Sequence, residues 1–233
     1  MTGQVHRVAF PTGNTYILEE HGRFAVIDPG YPRYWRRIEK TLLGLPGGAL
    51  DRVGLIVVTH NHPDHCGGVD RALDRCPNAA LAAHPRAALH LVDPMPRITL
   101  HHLAIAGEIM LGVAKAGFPL PKVRYGSAIT VALGDGDALP TPFEQWRALH
   151  TPGHTSEHLS LCRESTGDLV CGDVFVNTAL RPHPTGLVSD PDAMRLTLQR
   201  LRALRIETLH PGHGTPVLEA AHAQIVWSLG GLG

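Results

Sequence analysis

The sequence predicts an α/β fold in which two stacked β-sheets lie between outer helices. Short apolar runs rich in β-branched residues recur along both halves of the chain. Apolar residues at helical spacing follow strands in each half. No linker or low-complexity stretch separates the halves. Because strands alternate with helices without a break, residues 1–233 are expected to form a single domain.

In the first half, apolar patterns and turn residues define each element. The polar segment 20–23 makes a turn between two strands, and Pro29-Gly30 ends the second of them. Trp35, Ile38 and Leu42 recur at helical spacing. The predicted strands are 5–8, 15–18, 24–28, 55–58 and 79–83, and the predicted helices are 32–45 and 67–75.

The second half begins after a segment that is harder to interpret. Residues 85–127 carry five prolines and several apolar patches, so we expect one or two helices that cover the rest of the domain. The Asp-Gly repeat at 134–137 predicts a turn rather than a calcium site. Asp190 before Pro191 is typical of a helix start. The predicted strands are 129–131, 146–149, 159–162, 169–171 and 207–209, and a last helix is predicted at 219–229.

Composition excludes several classes of protein. The chain has 21 basic and 21 acidic residues, and this zero net charge gives no sign of a nucleic-acid or membrane partner. No apolar run approaches the length of a membrane span, and the N-terminal residues show no signal-peptide pattern, so we expect a cytoplasmic protein. The four cysteines form no Cys-x-x-Cys pair, so we expect reduced, mostly buried thiols.

Histidine is unusually abundant, with 16 in 233 residues. Four residues with metal-ligand side chains fall within Thr59–Gly68, directly after the predicted strand 55–58: His60, His62, Asp64 and His65. An extended stretch places His60 and His62 on one side, and Gly67-Gly68 permits a sharp exit. Imidazole is the commonest side-chain metal ligand, so this motif predicts a metal site.

Three further candidates follow predicted strands. They are His154 in a Pro-Gly-His segment, Asp173 in Cys-Gly-Asp and His213 in Pro-Gly-His-Gly. Loops that follow strands gather at one edge of stacked sheets. We therefore expect all seven side chains to meet at that edge.

These motifs resemble those of the metallo-β-lactamase superfamily. The resemblance covers nearly the whole chain. It includes the opening strands up to Asp28-Pro29-Gly30, the Thr59–Gly68 motif, and the glycine-flanked His154, Asp173 and His213, in the family's order. It implies a four-layer αββα sandwich with two mainly antiparallel or mixed sheets. It also implies two divalent metal ions: the first held by His60, His62 and His154, the second by Asp64, His65 and His213, with Asp173 bridging them.

The chemistry of these residues agrees with a hydrolase. Three imidazoles leave one coordination position for water, and two metals can share a hydroxide that attacks a carbonyl. Asp64 could handle a proton, and Asp173 would take part through its bridging position. Zinc suits a ligand set of His and carboxylate, and iron or manganese would also fit. We expect an ester, thioester or lactone substrate that is a small molecule or is linked to an acyl carrier, and a monomer or homodimer.

Differences between this chain and the motifs of individual enzyme classes in the superfamily argue against several of those classes. One large class of zinc β-lactamases has cysteine in place of Asp173, and the quorum-quenching lactonases carry a tyrosine where this chain has Val174, Phe175 and Val176. The Gly-His-Gly setting of His213 differs from that of glyoxalase II. The last motif resembles the esterase and thioesterase branch. A mononuclear iron persulfide dioxygenase and a β-lactam-hydrolysing enzyme remain as alternatives. A non-hydrolytic diiron module that partners with flavin is a further alternative, although such modules typically have glutamate where this chain has His62.

Other residues are assigned weaker roles. We expect His150 and His158 to be structural or to orient ligands through hydrogen bonds, and His210 to be structural. His84 is expected to be structural, the alternative being that it lines the site, and His183 is expected to lie in a surface loop, the alternative being that it reaches substrate. We also hypothesise that the covering segment 85–127 roofs an apolar substrate pocket, the alternative being that its side chains only complete the core. The apolar side chains concerned are Met95, Ile98, Leu103, Ile105, Ile109, Met110 and Phe118.

Overall fold

Two β-sheets and a short hairpin form the framework of the protein, and the computed structural model describes residues 3–88 and 129–229. Strands β1 to β3 of the first sheet pair antiparallel, and β3 to β6 pair parallel. Its strands, in spatial order, are β1 (Gln4–Phe10), β2 (Gly13–Glu20), β3 (Arg23–Ile27), β4 (Val53–Val57), β5 (Ala80–Ala83) and β6 (Val131–Ala132).

The second sheet has four described strands. Its spatial order is β12 (Thr208–Pro211), β9 (Asp168–Gly172), β8 (Leu159–Arg163) and β7 (Arg147–His150). Strand β12 runs parallel to β9, and β8 runs antiparallel to both β9 and β7. Strands β10 (Phe175–Val176) and β11 (His183–Pro184) form a separate hairpin.

Five α-helices and three 3₁₀ turns are described. The α-helices are α1 (Trp35–Leu43), α2 (Pro63–Cys66), α3 (Val69–Arg75), α4 (Pro191–Arg202) and α5 (Ala221–Gln224), and the 3₁₀ turns are Pro32–Tyr34, Leu50–Arg52 and Pro85–Ala88. The Asp190 side chain accepts hydrogen bonds from the backbone N–H of Asp192 and Ala193, and Pro191 follows it, so α4 starts where the sequence predicts. No described helix is long and apolar enough to cross a membrane.

Strand periodicity produces three apolar layers. Val26 and Ile56 belong to the layer that includes Trp35 and Ile38 of α1. Their neighbours along the strands, Ile27 and Val57, belong to the layer between the sheets, with Leu161 and Val170. Leu169 and Leu209 belong to a third layer with Met194 and Leu198 of α4. Because successive side chains point to opposite faces, each central strand serves two layers, and the predicted αββα sandwich is confirmed.

The C-terminal segment departs from the prediction. A helix over 219–229 is wrong: α5 spans only Ala221–Gln224. Ile225 is extended, and the Val226 N–H donates to the Pro182 carbonyl at 2.8 Å instead of to a helical carbonyl. Trp227 packs edge-on against Phe175, with ring centroids 5.4 Å apart. These tertiary contacts override the local helical spacing.

Smaller differences concern short elements. The segment after β4 is not a simple loop, because Pro63–Cys66 forms one helical turn. The β10–β11 hairpin is too short to be predicted from a pattern. The four cysteines are free and buried, as expected. Most of the covering segment 85–127 lies outside the described residues, and so do the apolar side chains assigned to a pocket roof.

Candidate metal centre

One edge of the sandwich collects the polar loops. Strands β3, β4 and β5 run parallel, so their carboxyl ends lie together. In the second sheet, β7, β9 and β12 share one direction. The Leu159 N–H donates to the Thr59 carbonyl at 2.8 Å and joins the two sheets at this edge. The loops that follow β4, β7, β9 and β12 therefore meet around one volume.

All seven predicted site residues lie at this edge, in two groups. Within each group the candidate ligand atoms lie within 4.8 Å of one another. The first group is His60, His62, His154 and Asp173, and the second group is Asp64, His65 and His213.

Three imidazole nitrogens converge in the first group. His60 Nε2 lies 3.0 Å from His62 Nδ1, and His154 Nε2 lies 2.9 Å from His62 Nδ1 and 3.3 Å from His60 Nε2. Nitrogens bound tetrahedrally at about 2.0–2.1 Å from a zinc ion would be about 3.3 Å apart. The spacing of the three nitrogens is therefore close to that of a metal coordination shell.

The surrounding hydrogen bonds fix which nitrogens carry protons. The Thr59 hydroxyl donates to Asp28 Oδ2, so it accepts from His60 Nδ1–H at 3.0 Å. His154 Nδ1–H donates to the Leu187 carbonyl. Consequently the Nε2 lone pairs of His60 and His154 both point into the first group. Lone pairs directed at one point repel one another unless a cation lies between them.

The second group is more open. His65 Nε2 lies 3.4 Å from His213 Nε2, and Asp64 Oδ2 lies 3.5 Å from His213 Nε2 and 4.0 Å from His65 Nε2. The side chains of Asp64 and His213 are 23% and 27% exposed, whereas that of His65 is 1% exposed. Solvent or substrate therefore has access to the side of the centre formed by Asp64 and His213.

Asp173 belongs to the first group and also lies close to the histidines of the second group. Its Oδ2 is 3.5 Å from His154 Nε2 and 3.1 Å from His213 Nε2, and its Oδ1 is 3.3 Å from His65 Nε2. Oδ1 is buried and has no hydrogen-bond partner among the described residues. A Cβ on Gly212 would collide with this oxygen and lie 2.8 Å from His65 Cε1. An unpartnered buried carboxylate oxygen, with glycine leaving room beside it, fits a bound divalent cation.

Local sequence explains how the first loop turns. Pro63 occupies the first helical position, where its fixed φ suits the start of the helical turn that contains Asp64 and His65. Gly68 then passes so close to the turn after β3 that a Cβ would lie 2.8 Å from the Pro29 carbonyl oxygen. Glycine at this position permits the two loops to touch and sets the exit of the chain.

Asp28 is a functional residue to which the sequence interpretation assigned no role. Its carboxylate accepts hydrogen bonds from the Thr59 N–H, the Thr59 hydroxyl and His65 Nδ1–H, each at 2.8 Å. Its φ of 54° lies in the left-handed region, which aspartate tolerates better than most residues. The sequence feature that could have identified Asp28 is its position directly after β3, which pairs parallel with β4. Asp28 directs the Nε2 lone pair of His65 toward the second group.

His158 orients Asp173, in agreement with its predicted role. The Asp173 N–H donates to His158 Nε2 at 3.0 Å, and His158 Nδ1–H donates to the Thr151 hydroxyl at 2.8 Å. The Thr151 hydroxyl then donates to Ser160 Oγ at 2.9 Å. Burial lowers the pKa of His158 well below its ordinary value, so the ring stays neutral and can accept. This directed chain holds the backbone of the central aspartate.

Four other histidines considered in the sequence analysis, His84, His150, His183 and His210, have structural contacts in the described part of the chain. His150 Nε2–H donates to the Ser156 carbonyl at 2.9 Å and the ring stacks on His84, with centroids 4.3 Å apart. His210 Nε2 lies 3.0 Å from Asp168 Oδ1. His183 contacts the carbonyl of Pro184. Glu157, a second residue that received no role, accepts from the Asn61 N–H at 3.0 Å and supports the loop between His60 and His62.

The two groups differ in proton affinity. Burial lowers the pKa of His60 and His62, and it lowers that of His154 to about 4. Burial also opposes the charge on His65, but the carboxylates of Asp173, Asp28 and Asp64 outweigh it and raise the pKa of His65 well above its ordinary value. Asp173 likewise outweighs burial and raises the pKa of His213. In the metal-free centre, the imidazoles of the first group therefore bind protons less readily than those of the second group.

This difference predicts that an ion in the second group is lost first as pH falls. A metal ion binds the deprotonated nitrogen, and the raised pKa values of His65 and His213 make these rings harder to deprotonate than the imidazoles of the first group as pH drops. Metal content after dialysis at steps from about pH 8 to about pH 5.5 should fall to about one ion per chain before it falls further. Simultaneous loss of both ions would contradict this order.

The fold and the two His/Asp groups define a class of αββα proteins with a candidate metal centre at the sheet edge. The family model described as the metallo-β-lactamase superfamily matches residues 9–213. The chain belongs to the metallo-β-lactamase superfamily.

Curated relatives carry hydrolase names. The chain is 29% identical over 221 residues to a hydroxyacylglutathione hydrolase of Xylella fastidiosa, a match that covers 90% of this chain and 64% of the relative. It is 25% identical over 232 residues to the probable metallo-hydrolase YflN of Bacillus subtilis, covering 91% of this chain and 84% of the relative. The chain thus spans less than two thirds of the length of the first relative.

Solved structures show the same fold. The structure of TTHA1623 in a di-iron-bound form has a TM-score of 0.62 at 22% identity, and covers 95% of this chain and 97% of that one. The BLEG-1 B3 metallo-β-lactamase has a TM-score of 0.64 at 20% identity, with 93% of both chains covered. These similarities concern the fold alone.

Proposed function

We propose that this protein is a binuclear metal-dependent hydrolase that acts on carbonyl ester or thioester bonds. The observation that carries the proposal is the position of Asp173, whose carboxylate lies within 3.5 Å of His154, His65 and His213. One carboxylate between two ligand groups is the arrangement that allows two ions to share a ligand. The seven residues would hold the ions as the sequence predicts, with zinc favoured and iron or manganese as alternatives.

The residues of the chain then have separate tasks. Bound divalent ions would supply an activated water, with a pKa lowered to about 7, and would polarise a carbonyl. His60, His62 and His154 present three neutral nitrogens and leave room for a further ligand. Asp64, with a side chain 23% exposed at the open side, is placed to take up or return a proton during turnover. Asp173 holds the groups at a fixed separation.

The substrate class rests on the curated relatives. Hydroxyacylglutathione hydrolases are named for cleaving a glutathione thioester, and their similarity to 90% of this chain supports a thioester or ester substrate. The chain covers only 64% of that relative, so glutathione itself is not part of the proposal. A small-molecule or acyl-carrier-linked acyl compound fits the proposed chemistry.

A substrate panel tests this function. Metal-loaded protein is offered an aryl ester, an acyl thioester, a lactone and a cephalosporin, and oxygen uptake is followed separately with a persulfide. We expect ester or thioester turnover that a chelator abolishes and added zinc or manganese restores. Oxygen consumption with one iron per chain and no hydrolysis would instead establish the dioxygenase alternative. Turnover of the cephalosporin alone would establish a β-lactam-hydrolysing enzyme.

A further inference from the structure

The β1–β2 hairpin is hydrogen-bonded to the loop that carries His213. The Asn14 N–H donates to the Gly212 carbonyl at 2.7 Å, and Asn14 Nδ2 donates to the carbonyls of Pro211 at 2.8 Å and Gly214 at 2.9 Å. We call Pro211–Gly214 the His213 loop. Asn14 therefore contacts this loop on both sides of His213, although almost 200 residues separate them in sequence.

Neighbouring side chains fix the orientation of Asn14. Arg7 Nε donates to Asn14 Oδ1 at 2.8 Å, so the amide nitrogen must face the His213 loop. The Asn14 residue is 4% exposed, and its amide uses both of its N–H groups on the loop. A buried amide with all of these bonds formed has one preferred orientation.

The His213 loop needs such external support. The register between β12 and β9 shifts between His210 and Pro211, so regular strand pairing is interrupted as the loop begins. The His213 side chain is 27% exposed, so the core does not enclose it fully. From the other side, the His213 carbonyl accepts from the Asn177 N–H at 3.0 Å. The position of the His213 imidazole ring therefore depends on contacts from outside strand β12.

We propose that Asn14 is a positioning residue for the second metal ion, because it fixes the His213 loop so that His213 Nε2 faces Asp64 and Asp173. This inference rests on the proposed binuclear centre. The hydrogen bonds of Asn14 among the described residues reach loop carbonyls and Arg7 but no ligand atom, so Asn14 acts through the loop. Its loss should weaken the second ion selectively, since no contact of Asn14 reaches His60, His62 or His154 among the described residues.

The geometry also predicts that an Asn14 variant folds. The Pro211 carbonyl keeps a hydrogen bond from the Tyr16 hydroxyl at 2.8 Å, and the Gly214 carbonyl keeps one from Arg7 Nη2 at 2.8 Å. No loop carbonyl that the Asn14 side chain contacts would therefore be left without a donor. The variant should therefore lose less stability than one that leaves a buried polar group without a hydrogen-bond partner.

The test is metal titration of Asn14→Ala and Asn14→Leu in competition with a chromophoric zinc chelator. Removal of a residue that orients a ligand typically weakens metal affinity about 10–100-fold. We expect this weakening for the second zinc ion only, with the first unchanged and with an unfolding midpoint of the metal-free protein close to that of the wild type. Asn78→Ala is the matched control, because Asn78 is exposed and its amide contacts only the Asp51 carbonyl in the described structure.

The outcomes separate this inference from the proposed function. Two zinc ions bound by the wild type and a selective loss of the second by both Asn14 variants support the positioning role. Two ions bound with equal affinity by wild type and variants overturn the role of Asn14 and leave the binuclear centre intact. Equal weakening of both ions would show a general structural effect and would also overturn it. A wild type that binds one ion overturns both proposals.

Discussion

Asp173→Ala is expected to lower kcat/KM for the best ester or thioester substrate at least about a thousand-fold, or about 4 kcal/mol in transition-state stabilisation. The substitution removes the carboxylate that lies within 3.5 Å of imidazole nitrogens in both ligand groups. Burial lowers the pKa values of His65 and His213, and the Asp173 carboxylate is the charge that raises them most. The substitution removes this charge. Steady-state kinetics and metal analysis on the same sample measure both effects.

Two variants serve as comparisons for Asp173. Asp173→Asn keeps the volume and one carbonyl oxygen but loses the charge, so it should retain the fold and lose most activity. Asp74→Ala removes an exposed carboxylate on α3 and should behave as the wild type. If Asp173→Ala kept activity within about ten-fold of the wild type, a bridging role would be wrong, since ligand loss of this kind should exceed that range.

Asp28→Ala is expected to lower the free energy of unfolding by about 3 kcal/mol or more. Three buried donors lose their acceptor, and each unsatisfied group costs about 1–3 kcal/mol. The donors are the Thr59 N–H, the Thr59 hydroxyl and His65 Nδ1–H. The same change frees the His65 ring to rotate, so metal affinity should also fall. Urea unfolding of metal-free protein and metal titration measure the two effects.

Asp28→Asn separates orientation from stability. Asparagine tolerates the left-handed backbone at this position and keeps one acceptor oxygen. When its NH₂ group faces His65, it cannot accept from Nδ1–H and favours the tautomer with the proton on Nε2. We therefore expect a smaller loss of stability than in Asp28→Ala, while the affinity for the second ion still falls. Wild-type metal affinity in both Asp28 variants would show that His65 is oriented by other contacts.

The site was predictable because metal-ligand side chains directly follow strands. Strand β4 is a short apolar run, and the motif from His60 to His65 follows at its carboxyl end. Each of these side chains follows a predicted strand, and strands that run in the same direction bring the loops after them to one edge. The sequence alone therefore indicates that the candidate ligands meet there. The αββα arrangement follows from the same alternation of apolar residues along strands such as β3 and β4.

The features that were missed depend on contacts distant in sequence. Asp28 and Asn14 are ordinary polar residues of a strand end and a hairpin, and only the fold reveals that they contact His65 and the His213 loop. The helix predicted over 219–229 fails for the same reason, because Val226 pairs with Pro182 and Trp227 packs on Phe175. Local patterns carry no information on such pairings.

Elemental analysis of the purified protein tests the central claim most directly. The proposed arrangement of seven ligands in two groups predicts about two divalent ions per chain, mainly zinc, with one retained when His213 is replaced by alanine. One iron per chain in the wild type, unchanged in the His213→Ala variant and accompanied by oxygen consumption without hydrolysis, would contradict the binuclear hydrolase.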